Sequence, residues 1–311
     1  MKKILLTGGA GYIGSVLTGF LLDKGYAVTI VDNFMYGQNS LANYFKNKNF
    51  FVIKSDVRNI KNYNKEIKSS DIIIPLAALV GAPICKQDPI GAKSVNFDAV
   101  KNLFKIVSKK QILLMPTTNS AYGSGNKKNF CDEDSELKPL SEYAIDKVEI
   151  EKMLMDYENS ISLRLATVFG MSPRMRVDLL VNDFVNRAIG DGSIVLYESY
   201  FKRNYIHVMD VARAFLHCLD NFSLMKSNIY NVGLSSANLS KKELCLKIKK
   251  HVKKLLIIES NLFNDPDQRN YIVSNKKIEK TGFRPIYDID FGIVELIKGL
   301  KCLKINNYSN F

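Results

Sequence analysis

The chain has 311 residues and a formal net charge of +13, from 44 Lys and Arg against 31 Asp and Glu. Its hydrophobic content of 46% is typical of a globular protein, and the length is sufficient for one large α/β unit with a substantial core. The basic residues are spread along the chain, apart from one dense cluster at 249–254 that we interpret as a solvated helix face. Composition therefore argues against a nucleic-acid-binding protein.

The five cysteines are far apart, and none belongs to a Cys-x-x-Cys pair. This pattern predicts neither a disulfide framework nor a metal site, and it is typical of a reducing compartment. We see no leader-like segment before the first apolar strand and no apolar run of about 18 residues. We therefore expect a soluble cytoplasmic protein without metal or membrane partners.

A glycine-rich turn follows the first predicted strand. Residues 4–7 are apolar, and the sequence GGAGYIG at 8–14 leads into apolar residues at helical spacing. We expect Gly8 to permit the tight turn, Gly11 to let the backbone approach phosphate and Gly14 to pack the helix on the sheet. Backbone N–H groups at such a helix N-terminus favour a pyrophosphate.

Asp32 ends the second predicted strand, residues 27–31. In a strand, glycine turn and helix of this kind, an acid at this distance binds the adenosine ribose hydroxyls. A carboxylate would repel a 2′-phosphate, so the predicted cofactor is NAD and not NADP. The alternative interpretation of Asp32 is a surface carboxylate at the end of a strand.

Three further strands, at 50–54, 71–74 and 111–115, are predicted to end at the same sheet edge. Asp56 follows the first of them and could contact adenine. Small residues follow the second and could form a cofactor wall, although core packing explains them almost as well. Thr118 follows the third, where its hydroxyl could bind a substrate or belong to a turn rich in hydroxyls.

Tyr143 and Lys147 are predicted on one helix that begins near Ser141. Residues at i and i+4 share a helix face, with Cβ atoms about 5–6 Å apart. A nearby cation favours the phenolate, so we expect Lys147 to lower the pKa of Tyr143 from about 10 toward the neutral range. The alternative is a half-buried tyrosine beside a solvated lysine.

The remaining pattern completes an α/β protein with a doubly wound parallel sheet and a smaller mixed α/β lobe. A long helix is predicted from 88 to about 109, a strand at 160–166, and helices near 211–219, 239–250 and 291–303. We predict that residues 1–170 form a nucleotide-binding domain and that residues 206–232 also belong to it. Residues 171–205 and 233–311 are predicted to form the substrate lobe.

Taken in order, these motifs resemble an extended short-chain dehydrogenase/reductase of the nucleotide-sugar epimerase/dehydratase group. The matching motifs are 8–14, Asp32, Asp56-Val57, Thr118-x-x-x-Tyr122-Gly123, Tyr143-x-x-x-Lys147 and 203–208. The resemblance extends from Met1 to about Gly299 and implies a Rossmann fold. Segments 77–85, 172–176, 179–184 and 233–238 are most similar to dehydrogenases that oxidise C4 of GDP-heptose in bacterial capsule synthesis.

This resemblance implies roles for three catalytic residues. Tyr143 would take the proton of the sugar C4 hydroxyl, Lys147 would bind the nicotinamide ribose, and Thr118 would hydrogen-bond the sugar hydroxyl. Hydride would pass from C4 to NAD. The implied cofactor contacts are Gly8, Gly11, Tyr12, Ile13, Gly14, Asp32, Asn33, Asp56, Val57, Leu76, Ala77, Ala78, Tyr143 and Lys147.

The resemblance also implies a nucleotide-diphosphate sugar as the substrate and a homodimer paired through helices at 89–109 and 141–156. Arg203 and Arg269 would contact the diphosphate, and Asn182 the nucleotide. The other implied substrate contacts are Asn119, Ser120 and Arg174. A surface charge is the alternative for Arg174.

Three positions depart from the pattern of the group. Asn119 and Ser120 stand where the 4,6-dehydratases carry an Asp-Glu pair, and neither can act as acid or base for the removal of water. Pro75 replaces a histidine that is common in relatives, a change for which we have no physical account. A C4 dehydrogenase, a 4-epimerase and a non-catalytic NAD(H)-binding protein all stay open.

Overall fold

The computed structural model describes residues 1–124, 131–262, 268–303 and 308–310. The strands in these residues are β1 Lys3–Thr7, β2 Ala27–Asp32, β3 Phe50–Lys54, β4 Ile72–Pro75, β5 Ile112–Thr118, β6 Ser160–Leu165, β7 Thr167–Phe169, β8 Ser193–Leu196, β9 Lys202–His207, β10 Asn228–Val232, β11 Asn238–Ser240 and β12 Leu256–Glu259. The α-helices are α1 Tyr12–Asp23, α2 Asn64–Ser69, α3 Ala82–Gln87, α4 Pro89–Lys93, α5 Ala99–Phe104, α6 Glu142–Leu154, α7 Leu180–Gly190, α8 Val208–Asp220, α9 Phe222–Met225, α10 Lys241–His251, α11 Lys276–Lys280 and α12 Ile289–Leu300.

The largest sheet in the described part of the chain has seven strands in the order β10-β6-β5-β4-β1-β2-β3. Every neighbouring pair in this sheet is parallel. Strand β1 lies between β2 and β4, so the chain leaves β1 first toward one edge of the sheet and later toward the other. The predicted doubly wound α/β fold is confirmed, and this reversal point is where such sheets bind ligands.

Two smaller sheets form the mixed α/β part. Strands β11, β9 and β7 form one, and β12 pairs with β8 in the other. One hydrophobic core extends from the large sheet and α1 through α8 to α7, α10 and α12, so both parts share it. A second core packs α2, α5 and α6 on the opposite face of the large sheet. No described helix has both the length and the apolar content needed to cross a membrane.

The helix predicted from 88 to 109 is shorter and less regular than expected. Its N-terminus is capped by the Asp88 side chain, which accepts a hydrogen bond from Gly91 N at 2.8 Å. A π-helical turn at Ser94–Asp98 separates α4 from α5, and α5 ends at Phe104. Strand β5 is longer than predicted, since it includes Thr118. Apolar periodicity predicted this region as helical but could not locate the π turn or the helix end.

Gly8 lies where the glycine turn approaches the end of β4. Its φ of +69° is rarely adopted by other residues, and a Cβ atom there would lie 2.5 Å from Ala77 N. We predict that Gly8→Ala lowers the free energy of unfolding by about 3 kcal/mol, because backbone strain and the clash add. Urea unfolding measures this change.

Gly25→Ala is the matched control for this prediction. Gly25 also has a positive φ, +82°, but a Cβ there would have no atom within 4 Å. We expect this change to cost only about 1 kcal/mol, the strain alone. Equal losses in the two variants would contradict the importance of the close approach at Gly8.

Candidate active site

A cavity of about 1200 Å³ opens at the carboxyl edge of the large sheet, beyond the ends of the paired strands β1 and β4. The glycine turn, the ends of β2 to β5 and the first half of α6 form its walls, together with 174–180 and 268–271. Each residue expected to contact the cofactor lines it, namely Gly8, Gly11, Tyr12, Ile13, Gly14, Asp32, Asn33, Asp56, Val57, Leu76, Ala77, Ala78, Tyr143 and Lys147. The fold therefore brings this whole predicted set together.

The glycine turn presents the N-terminus of α1 to the cavity. Gly11 is the N-cap residue and provides no side-chain hydrogen bond to the first helical turn. The Tyr12 side chain points into the protein, where its hydroxyl donates to Gly170 O at 2.6 Å. Only the backbone of this segment is thus available to a ligand, and uncapped N–H groups at a helix N-terminus suit a pyrophosphate.

Asp32 is held at the end of β2 by backbone groups. Its carboxylate accepts hydrogen bonds from Ala10 N at 3.0 Å and Phe34 N at 2.8 Å. Burial raises the pKa of Asp32, and the two N–H groups oppose that rise. A fixed carboxylate at this edge fits the ribose of a dinucleotide.

Asp56 lies farther along the same wall and forms an ion pair with Arg58 at 2.7 Å. The hydrogen bonds from Arg58 lower the pKa of Asp56. Arg58 also lines the cavity, although it was not predicted from the sequence.

Arg174 does not lie where the resemblance placed it. Its guanidinium carbon is 3.9 Å from the ring centroid of Tyr36, and it is close enough to Asp32 to lower that carboxyl's pKa, against the larger effect of burial. Burial, followed by the charge of Arg176, lowers the pKa of Arg174 to about 10. Its Nε is buried and has no hydrogen-bond partner in the described residues. Arg174 therefore lies at the end of the cavity expected to hold the adenosine, and not at the sugar end.

Thr118 and Ser120 face the cavity, whereas Asn119 does not. Thr118 Oγ1 accepts a hydrogen bond from Ser120 N at 3.0 Å, so the hydroxyl proton can be donated to a ligand. Ser120 Oγ accepts a hydrogen bond from Arg269 Nη1. Asn119 is fully buried, and its amide atoms have no partner in the described part of the chain. The expected substrate contact of Asn119 is therefore not supported by its position.

Tyr143 and Lys147 share one face of α6, as predicted, with Lys147 Nζ 5.9 Å from the Tyr143 ring centroid. The helix begins after Ser141, whose hydroxyl caps Ala144 N. Burial lowers the pKa of Lys147 to about 8. The prediction that Lys147 lowers the pKa of Tyr143 is wrong. Burial raises that pKa to about 12, and Arg176 and Arg269 provide the opposing positive charge.

The remaining predicted substrate residues divide into two groups. Arg203 and Arg269 line the cavity, and the Arg203 guanidinium carbon lies 5.6 Å from the ring centroid of Tyr271. Asn182 is fully buried and bonds only to protein atoms in the described structure, accepting from Gly170 N and donating to Arg176 O and the Tyr12 hydroxyl. Asn182 does not line the cavity, because its amide connects Tyr12, Gly170 and Arg176, and its nucleotide contact stays a prediction.

Some residues that support the site were not selected from the sequence. Asn96, in the π turn, accepts a hydrogen bond from Leu79 N at 2.8 Å and donates one to Leu79 O at 3.0 Å, which fixes the wall after β4. Asp178 forms a buried ion pair with Arg176 beside the cavity. His207 was predicted as a structural residue, and it is fully buried, with Nε2 2.9 Å from Glu295 Oε2. In the sequence, the signal that could have identified Asn96 is an asparagine among the apolar residues of the predicted helix.

The doubly wound sheet, the uncapped α1 N-terminus and the fixed Asp32 define a dinucleotide-binding enzyme fold with a Tyr and Lys pair at one end of the cavity. The chain belongs to the NAD dependent epimerase/dehydratase family, which matches residues 4–233. This membership confirms NAD as the predicted cofactor and the nucleotide-sugar epimerase/dehydratase group as the predicted family.

Known relatives carry several related activities. A UDP-N-acetyl-alpha-D-glucosaminuronate decarboxylase from Bacillus cytotoxicus is 27% identical over 244 residues, 75% of this chain and 75% of that protein. A putative UDP-glucose 4-epimerase from Methanocaldococcus jannaschii is 27% identical over 316 residues, 96% of this chain and 98% of that protein. The structure of UDP-glucose 4-epimerase from Thermus thermophilus in complex with NAD is similar, with a TM-score of 0.83 and 24% identity over 96% of this chain and 99% of that one. The similarity to the Thermus thermophilus structure shows a shared fold.

The low pKa of Lys147 predicts an unusual dependence of stability on pH. The folded-state pKa of about 8 lies below the ordinary 10.5, so the unfolded chain binds more protons between these values. Stability from this group therefore rises with pH across that window, and the cost of burying the charge, roughly 3 kcal/mol, is fully present below pH 8. We expect Lys147→Met to raise the free energy of unfolding at pH 7 and to remove this pH dependence, both measured by urea unfolding.

Lys241→Met is a control that should change the free energy of unfolding in the opposite direction. Lys241 is also buried, but its Nζ donates to Tyr197 O at 2.6 Å. Removing that bond should lower the free energy of unfolding by about 1–3 kcal/mol. The interpretation of Lys147 would be contradicted if both lysine variants lost stability at pH 7.

Proposed function

We propose that this protein catalyses the NAD-dependent oxidation of a nucleotide-diphosphate sugar at C4. The observation that carries this proposal is the presence of Thr118, Tyr143 and Lys147 in one cavity with the glycine turn and Asp32. A cofactor-binding module without chemistry would not require a phenol and a buried ammonium beside the cofactor site.

In the proposed reaction, Tyr143 removes the proton of the C4 hydroxyl while Thr118 donates a hydrogen bond to the sugar. To accept this proton Tyr143 must be a phenolate, and the positive charges of Arg176 and Arg269 favour that form. Lys147 binds the nicotinamide ribose. Although burial lowers the pKa of Lys147 to about 8, this value is still above 7, so most of its ammonium is charged at neutral pH, as this role requires.

The residues of the cavity fit NAD, which supplies the hydride acceptor when bound. The α1 N-terminus holds the pyrophosphate, Asp32 the adenosine ribose, and Asp56 with Val57 the adenine. Residues 76–78 form the cavity wall beside NAD. We assign Arg174 to this cofactor end, where its unpartnered Nε can donate to a phosphate or ribose oxygen.

The substrate end contains Ser120, Arg203 and Arg269. Arginine suits a diphosphate because its planar fork binds two oxygens. GDP-heptose is our preferred sugar, supported by the resemblance of segments 77–85 and 172–184. The 4-epimerase among the relatives supports a second candidate, in which the hydride returns to the other face of C4. Loss of water is disfavoured because Asn119 points away from the cavity and Ser120 cannot act as an acid.

A panel of GDP-, UDP- and dTDP-sugars, incubated with the protein and NAD, tests the proposal by mass spectrometry and NMR. Loss of two hydrogens means oxidation, and an unchanged mass with altered ring couplings means epimerisation. Loss of carbon dioxide from a uronic acid would identify the activity of the decarboxylase relatives. Binding of NAD without any turnover across the panel would favour the non-catalytic alternative.

The role of Tyr143 gives a direct prediction. Tyr143→Phe should lower kcat by about 10²–10⁴-fold, because it removes the proposed base, while the Kd for NAD changes less than about threefold. Steady-state kinetics and calorimetric titration with NAD measure these effects. Tyr230→Phe is the control, since Tyr230 is a buried tyrosine that does not line the cavity, and it should retain kcat. Near-normal activity of Tyr143→Phe would disprove the mechanism.

We also propose a homodimer paired through α4 to α6. Ile90 and Ile145 lie on these helices with exposed fractions of 83% and 39%, which suits an interface. Ile90→Glu combined with Ile145→Glu should convert a dimer to a monomer in sedimentation velocity. Leu224→Glu is the control, because Leu224 is 73% exposed on α9 and should leave the dimer intact. A monomeric parent protein at micromolar concentration would refute the dimer.

A further inference from the structure

A buried ion pair lies beneath the proposed catalytic residues. Arg164 Nη2 is 2.6 Å from Glu151 Oε1, and the side chains are only 4% and 5% exposed. Arg164 Nε also donates to Glu151 Oε1 at 3.0 Å. Neither residue lines the cavity. Their contribution to any reaction must therefore pass through the residues that they hold.

Glu151 connects the catalytic helix to two strands. It lies on α6 one turn after Lys147, so the side chains share a helix face. Its Oε2 accepts hydrogen bonds from Ser162 Oγ on β6 at 2.6 Å and from Thr117 Oγ1 on β5 at 3.0 Å. Thr117 directly precedes Thr118. The Glu151 carboxylate thus fixes the distance between α6 and β5, the strand that carries the Thr118 hydroxyl.

Through Arg164, the ion pair is also connected to the turn that follows Thr118. Its Nη1 donates to the Tyr122 hydroxyl at 2.9 Å and to Glu133 O at 3.2 Å. Tyr122 closes the helical turn Asn119–Tyr122, and its hydroxyl lies 2.8 Å from Asn231 Oδ1 on β10. The segment 118–122 and the helix of Tyr143 are therefore fixed to one guanidinium and one carboxylate.

Charge burial makes this arrangement costly as a purely structural feature. Apolar residues of similar volume often stabilise a core as well as a buried ion pair does, whereas a satisfied polar network specifies one geometry. The network is well satisfied, since both Glu151 oxygens and the Nε, Nη1 and Nη2 atoms of Arg164 have partners. It also lies between the elements whose relative position the reaction requires.

We propose that Glu151 and Arg164 are positioning residues, which fix the separation between the Thr118 hydroxyl and the Tyr143 and Lys147 pair. This inference rests on the proposed function of those three residues. Catalysis depends steeply on such distances, because a misplacement of about 1 Å can reduce a rate about 10²-fold. Cofactor binding depends mainly on other residues and should change little.

The test compares Glu151→Gln with Asp210→Asn in the full-length protein. Asp210 is a matched control, because it is also a fully buried carboxylate with an arginine partner, Arg213, but lies away from the cavity. With the sugar that the parent protein converts, Glu151→Gln should lower kcat at least tenfold while KM and the Kd for NAD change less than about threefold. Asp210→Asn should retain kcat within about twofold. Equal kcat losses, or a normal kcat in Glu151→Gln, would overturn the proposal.

A double variant separates positioning from stability. Glu151→Gln leaves the Arg164 charge without its counterion and destabilises the fold, whereas Glu151→Gln with Arg164→Met removes both charges. The double variant should regain thermal stability toward that of the parent but keep its low kcat. Recovery of kcat together with stability would show a merely structural role and overturn the proposal.

Amide hydrogen exchange provides a readout that needs no substrate. Glu151→Gln should increase exchange in 118–122 and 142–154 at least tenfold over the increase in Asp210→Asn, with β1 to β3 unchanged. If the parent protein converts no sugar in the panel, the proposed function fails, and this exchange pattern still decides whether the pair holds the two segments. Exchange in 118–122 and 142–154 that matches the Asp210 variant would overturn the proposal.

Discussion

The close approach of the glycine turn to the end of β4 is the contact on which the site depends. With no side chain at Gly8, the backbone of that turn lies against Ala77, so the turn and the segment that follows β4 line the cavity side by side. Gly14 has a similar function one turn later, since a Cβ there would lie 2.5 Å from Gly8 O. The α1 N-terminus, Asp32 and the β4 wall are thereby brought to one edge of the sheet.

Buried charge is the second constraint, and here function and stability oppose each other. Lys147 is buried, which lowers its pKa, and Arg174 has a buried Nε with no partner among the described residues. By contrast, Glu151 and Arg164, just below the site, are hydrogen-bonded to each other and to Thr117, Ser162 and Tyr122. Lys147 and Arg174 thus carry a cost of burial, whereas the Glu151 and Arg164 pair that supports the site is fully hydrogen-bonded. The site thus combines destabilised reactive groups with a rigid base.

Most of the fold could be predicted from the sequence because its signals are local. Apolar strands, the glycine turn and helical spacing identified six of the seven strands of the large sheet to within a few residues, whereas β10 was not predicted as a strand. The π turn at Asn96 was not predictable, since it depends on hydrogen bonds to Leu79, seventeen residues away in the chain. A side-chain contact between distant segments leaves no periodic pattern in the sequence.

For the site, the sequence by itself determined which chemical groups reach the carboxyl edge of the sheet, because strand order and residue spacing place Gly8, Asp32, Thr118, Tyr143 and Lys147 there. Only the tertiary structure decided which way the other side chains point. It buried Asn182 and Asn119, placed Arg174 beside Tyr36 and near Asp32, and paired Arg164, a charge inside an apolar strand, with Glu151. These outcomes depend on burial and on partners from distant elements, and burial also reversed the expected pKa shift of Tyr143.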